Sequence, residues 1–170
     1  MKRTDHNPPP RALTLALLLA LMLATPAACT SNAPDHAHQT QTVQIDGQQF
    51  NLELALTPQQ RQQGLSDREH IPDDGGMLFV FPDVARRQFV MRRCLVPIDI
   101  IFLGPNGRIV AMHQMAVEPY DLPEEQLTRY SSHYPAQFAI ELQGGMLDQL
   151  TVGLGDRIDL PLESLKRRAD

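Results

Sequence analysis

Six side chains able to do chemistry stand inside or beside the most apolar segments of this 170-residue chain: Arg68, Met91, Arg92, Asp99, His113 and Glu141. Asp99 interrupts Pro97-Ile98-Asp99-Ile100-Ile101-Phe102, and Glu141 interrupts Ala139-Ile140-Glu141-Leu142. A carboxylate within an apolar strand must be paired or hydrogen-bonded once it is buried. Each therefore has two readings, a structural pair or turn hydrogen bond, and a polar anchor in a ligand pocket. For Asp99 the expected structural partner is Arg68, whose guanidinium fork can hold a carboxylate by two hydrogen bonds. If Asp99 and Glu141 instead converge about 5–10 Å apart, they have the separation that glycoside chemistry uses. A hydrolase or lyase acting on cell-envelope saccharides through this Asp/Glu pair is then the alternative to a non-enzymatic ligand-binding module, which is the preferred reading.

A second set of donors is soft: Met77, Met91, Cys94, Met112, His113 and Met115. Thioether, thiol and imidazole suit copper(I), but methionine is a common filler of irregular core gaps, and neither metal nor cofactor is expected. Asp35-His36-Ala37-His38 could chelate a transition metal and reads as polar spacer. Cys94 follows Arg92 and Arg93, cations that lower a thiol pKa when close, yet it sits between apolar runs and reads as a buried, unpaired thiol. The sequence contains no G-x-S-x-G, H-E-x-x-H, C-x-x-C or phosphate loop, so these motif-borne chemistries have no foothold.

The elements that must position these residues centre on Gly75–Leu103. Apolar runs at Met77–Phe81, Gln88–Met91 and Ile98–Leu103 are bounded by turn signals and read as buried strands, with Arg86, Arg87, Arg92 and Arg93 close by. Upstream, alternation around Gly47 predicts a hairpin over residues 42–56. Thr57-Pro58 is an N-cap followed by a first-turn proline, and Gly64 a stop, so Pro58–Gln63 is a short helix. Asn106-Gly107 turns Ile98–Leu103 back into a strand over 108–115. Val117–Tyr134 is a long acidic excursion. Strands over Gln137–Leu142 and Arg157–Leu160, a short helix at Met146–Leu150 and a terminal helical turn at Leu162–Arg168 complete the pattern. Alternation places Asp99 beside Ile101 and opposite Ile98 and Ile100. The expected fold is mainly β, a compact antiparallel barrel or sandwich with two or three short helices.

Lys2, Arg3 and Arg11 precede Ala12–Ala24, an apolar run of about 13 residues. That length fits the h-region of an export signal and falls short of the roughly 20 residues of a membrane span. Pro26-Ala27-Ala28-Cys29 resembles a lipobox, with Pro26 where an aliphatic residue is usual. The expected organisation is a signal peptide over 1–28, lipidation at Cys29, a flexible tether over 29–42 and one β-rich domain over 43–170. The domain then lies on the periplasmic face of a membrane, touching the membrane through its anchor only, or is secreted. Losing Lys2, Arg3, Arg11 and Asp5 takes the formal charge from −5 to −7. Such an acidic domain is a poor partner for nucleic acid. With Cys29 lipidated, Cys94 has no partner within the chain.

Five blocks in order, Gly64-Leu65-x-x-Arg68, Gly75-Gly76-Met77-Leu78-Phe79-Val80-Phe81, Phe89-x-Met91, Pro97-Ile98-Asp99-Ile100-Ile101-Phe102 and Ile140-Glu141-Leu142-x-Gly144, resemble domain-of-unknown-function family 192. The resemblance spans about Val43–Leu160. It implies a compact, mostly antiparallel β domain with small helices, often exported, and brings no defined activity. Val90, Arg92, Arg93 and Cys94 depart from the family's Phe-Trp-Met-Lys-Asn-Thr block, so no role of that Trp, Asn or Thr carries over. The partner is an unnamed small-molecule or polymer ligand, such as a saccharide or peptide.

Overall fold

Period-two alternation in the strands becomes two buried faces of one sheet. The computed structural model describes residues 1–2 and 39–170. The export segment, Cys29 and Asp35–His38 lie outside the described residues. The chain runs β1 (Thr40–Ile45), β2 (Gln48–Ala55), α1 (Pro58–Gln63), β3 (Gly75–Ala85), β4 (Gln88–Phe89), β5 (Ile98–Leu103), β6 (Ile109–Met115), β7 (Tyr130–Ser131), β8 (Ala136–Gln143) and α2 (Leu162–Lys166), with a 3-10 turn at Glu124–Gln126. Six strands form a sheet in the order β1-β2-β3-β8-β5-β6, and β4 pairs with β7 in a small second sheet.

The mainly β fold is as expected, but the large sheet does not close into a barrel. Its pairing is also mixed: β2 and β3 run parallel. Residues 56–74 connect them and carry α1, and a crossover of that length with a helix is what a parallel pair requires. In α1 the Thr57 hydroxyl accepts from the Gln60 backbone N–H, and the Gln60 side chain accepts in turn from the Thr57 N–H. This reciprocal cap satisfies donors that the helix itself cannot.

One face of the sheet presents Phe50, Leu52, Leu54, Leu78, Val80, Ile101, Leu103, Phe138, Ile140 and Leu142, covered in part by Leu165 of α2 and by Met146 and Leu150. The other presents Met77, Phe79, Ile98, Ile100, Phe102, Ala111 and Ala139, covered by Leu65, Ile71, Met91 and Cys94. Phe89 of β4 and Tyr130 of β7 pack on that second core. Phe50, Phe79, Phe102 and Phe138 are each within 1% of complete burial, and side chains of this size contribute about 1.5–3 kcal/mol apiece when removed from water.

Three local expectations are corrected. β1 starts at Thr40, so the last residues assigned to the tether are already paired with β2. Met146–Leu150 is a tight turn without a helix. It follows Gly144-Gly145, makes one turn closed by the Leu150 N–H on the Met146 carbonyl, and gives the Leu147 N–H to the Asp99 carboxylate at 2.7 Å. Arg157–Leu160 is not a strand. It makes one bridge, Arg157 to Arg108, because Gly155, Asp156 and Ile158 use their backbone groups on Gly107 and Ile109 as an irregular clasp.

Candidate functional site

Strand β8 carries Glu141 opposite Met77 of β3 and Ile100 of β5. Its side chain therefore faces the second core, between strands that are buried on both sides. Glu141 is 5% exposed, and its Oε2 has no hydrogen-bond partner among the described residues. Burial alone pushes its pKa up to about 8, so at pH 7 the carboxyl is mostly protonated and can donate. Most buried polar side-chain atoms in native structures are satisfied, so an orphan asks for an explanation.

Glu141 lines a cavity of about 430 Å³. Glu141 and Phe79 line its floor, and the end of α1 with Gly64 forms one wall. Gly64 has φ +51, and a Cβ there would stand 3.4 Å from the Phe79 ring and 3.7 Å from Glu141 Oε2. The space would admit a Cβ, and it is the positive φ ending the helix that favours glycine here. Phe81, Phe89 and Val90 form the apolar part of the lining, and Gln63, Ser66 and Gln88 supply neutral polar groups.

Four arginines complete the lining, Arg61, Arg86, Arg87 and Arg92. Two of them are committed to the fold. Arg61 donates to the backbone carbonyls of Leu56, Val80 and Asp170. Burial, then the charge of Arg87, lowers its pKa. Arg87 donates to Asp83 and to the Ala136 carbonyl, and its guanidinium carbon stands 4.0 Å from the Phe81 ring centroid. Arg92 reaches Glu124 Oε2 at 3.0 Å and also donates to the Gln62 carbonyl. Arg86 is exposed and has no hydrogen bond or ion pair among the described residues.

Cys94 lines the same cavity. Burial, reinforced by Glu141, pushes its thiol up to about 12 against the opposing pull of Arg92. It is a free, buried thiol, protonated at neutral pH, and its Sγ lies 3.6 Å from the Arg92 carbonyl.

Of the six residues singled out in the sequence, Glu141 and Arg92 meet in this cavity and the others do not join them there. Met91 is 1% exposed and fills the second core. His113 places Nε2 2.7 Å from the Ser131 carbonyl, and its ring packs among Phe102, Tyr130 and His133. It ties β6 to β7. Arg68 pairs with Glu53 by two bonds of 2.9 and 2.7 Å, not with Asp99. Glu53 lies opposite Met77 in the parallel ladder and shares the face of the second core, whereas Asp99 points to the first. Asp99 is 1% exposed. Burial raises its pKa, against backbone donors from Gly145, Met146 and Leu147. Asp99 and Glu141 therefore occupy opposite faces of the sheet and form no acid/base pair. The soft donors are divided in the same way, with Met112 on the first core and Met91, Cys94 and Met115 on the second. Among the described residues no group of three or more His, Cys, Asp or Glu is placed to hold a metal ion.

Arg61, Arg87, Phe81, Gly64 and Glu124 were not singled out as site residues from the sequence. The available signal was the pair of Arg-Arg dipeptides on either side of a four-residue run, 86–87 and 92–93.

Comparison with known proteins places this architecture. The family model DUF192, described as an uncharacterized ACR, matches residues 41–160. The chain belongs to that family. Two crystal structures resemble the DUF192 domain seen here. A candidate transcription regulator from Sinorhizobium meliloti 1021 is 30% identical, with a TM-score of 0.60, covering 69% of this chain and 89% of that one. A protein of unknown function from Novosphingobium aromaticivorans is 28% identical, with a TM-score of 0.65, covering 75% and 89%. No curated protein matches.

Proposed function

We propose that this DUF192 member is an exported, lipid-anchored envelope domain whose cavity is a non-enzymatic binding site for a small or polymeric ligand such as a saccharide or peptide. The observation that carries the binding reading is Glu141 Oε2, buried without a partner at the floor of an open cavity lined by arginines and neutral polar groups. An unsatisfied buried acid costs stability, and such costs concentrate at functional sites. The basic N-terminus, the Ala12–Ala24 run and Cys29 support export and anchoring. The anchored domain would sit on the periplasmic side of a membrane.

The separation of Asp99 from Glu141 leaves a paired-carboxylate hydrolase without its pair. A nucleic-acid function of the kind named for the Sinorhizobium neighbour also has little support. The chain is acidic, with formal charge −5, and its clustered arginines line a cavity instead of a basic stripe. Thermal shift of residues 39–170 against saccharides and peptides tests the binding reading, because a ligand of the folded form must raise the melting temperature. At least one ligand should do so in the wild type and not in Glu141→Leu, which keeps the volume and removes the hydrogen-bonding group. A flat response to every compound overturns the reading.

A further inference from the structure

Glu124 already shows what the mouth of the cavity accepts. This residue belongs to the 3-10 turn of the 117–134 excursion, lines the cavity, and lays its carboxylate on Arg92 at 3.0 Å. Its side chain is 54% exposed and that of Arg92 31%, so the pair is half in water and of the kind that contributes little to stability. Arg86 stands on the same rim as a guanidinium without a partner among the described residues. The excursion has attachments that do not involve this pair. Tyr120 donates to Asp67 at 2.8 Å, and the Ser132 N–H donates to the Arg87 carbonyl at 2.9 Å. Releasing Glu124 therefore need not detach the loop.

Resting on the binding function proposed above, we propose that the cavity takes a small organic carboxylate, which displaces Glu124 from Arg92, gains Arg86, and presents a hydroxyl or other neutral polar group to Glu141. Guanidinium planes match carboxylates by paired hydrogen bonds, which gives this class an advantage over a spherical anion. The neutral part of the ligand passes Phe81 and Phe89 and reaches a floor that has an unfilled hydrogen bond. A ligand bearing an ammonium group is disfavoured by four arginines around the path. Glu124 acts as a tethered competitor, so the free site is self-occupied and the affinity for carboxylates is set by how readily that side chain leaves.

The experiment titrates residues 39–170 with gluconate, glucuronate and lactate, and with glucose and inorganic phosphate as matched controls, followed by calorimetry and by amide NMR shifts. The hydroxy acids should bind and glucose should not. Glu124→Gln should tighten carboxylate binding by about three- to tenfold, whereas Arg92→Gln should weaken it by tenfold or more, with folding checked by the retained amide spectrum. Phosphate bound as tightly as the hydroxy acids, or carboxylate binding that is unchanged or weakened by Glu124→Gln, overturns the inference. Binding of glucose or of a neutral peptide in place of the carboxylates leaves the pocket as a binding site and refutes the carboxylate assignment alone. No binding to any compound by wild type or Glu124→Gln refutes both.

Discussion

Replacing Glu141 by Gln should stabilise the fold, and by an amount that depends on pH. The native carboxyl titrates near 8, against an ordinary value of 4.5. Because the folded pKa is raised, the folded state holds a proton that the unfolded chain has already released between these two values. Stability is therefore full below pH 4.5 and falls as pH rises towards 8, at about 1.4 kcal/mol per unit. The accumulated cost is about 3 kcal/mol at pH 7 and about 5 kcal/mol above pH 8. Glutamine keeps the shape and cannot ionise, so the variant should match the wild type near pH 4.5 and exceed it by about 3 kcal/mol at pH 7. For a domain of this size that is a rise of about 10 °C in melting temperature. Urea unfolding of both proteins at pH 4.5, 6, 7 and 8.5 measures the difference directly. Asp99 titrates in both and cancels. A difference that is constant with pH, or that favours the wild type at pH 8.5, would refute the reasoning, since it would mean that Glu141 has a counter-charge or solvent in the folded state.

Other substitutions separate structural roles from the site. Asp99→Ala removes the acceptor of the Leu147 N–H and should cost about 1–3 kcal/mol in chemical denaturation, with carboxylate binding unchanged. The Arg68–Glu53 pair is partly exposed, and a double-mutant cycle should return a coupling of about 1 kcal/mol or less. Gly76→Ala should prevent folding, read by loss of the dispersed amide spectrum, because φ is +146 and a Cβ would lie 2.2 Å from the Glu141 carbonyl oxygen. Cys94 should react with a thiol reagent at neutral pH far more slowly than a free cysteine, and labelling should accelerate only as the protein unfolds.

The placement of Asp99 and Glu141 shows how far the sequence carries. Alternation correctly placed Asp99 beside Ile101, and Thr57-Pro58 with Gly64 delimited α1 residue for residue, because these signals are local. The partner of Asp99 was not legible. It depends on a turn 45 or more residues downstream folding back under β5, and backbone donors leave no mark in residue types. The pairing of Arg68 with Glu53 in place of Asp99 is hidden for a related reason. Glu53 shares its face only because β2 and β3 run parallel, and a short helix between two strands does not reveal that pairing. The cavity was half legible. Glu141 and Arg92 stood out by their apolar surroundings, whereas Glu124 reaches the rim from a loop with ordinary acidic composition, and nothing in its neighbours points to Arg92.

Everything proposed for the cavity depends on Glu141 being a buried acid without a partner among the described residues. Labelling glutamate side chains with carbon-13 and following the Glu141 carboxyl by NMR from pH 4 to 10 tests it most directly, with and without gluconate. The free protein should show one titration near 8, and the carboxyl resonance should be displaced when gluconate is added. A titration between 4 and 5, with a resonance indifferent to gluconate and to every other compound that shifts the melting temperature, would contradict it.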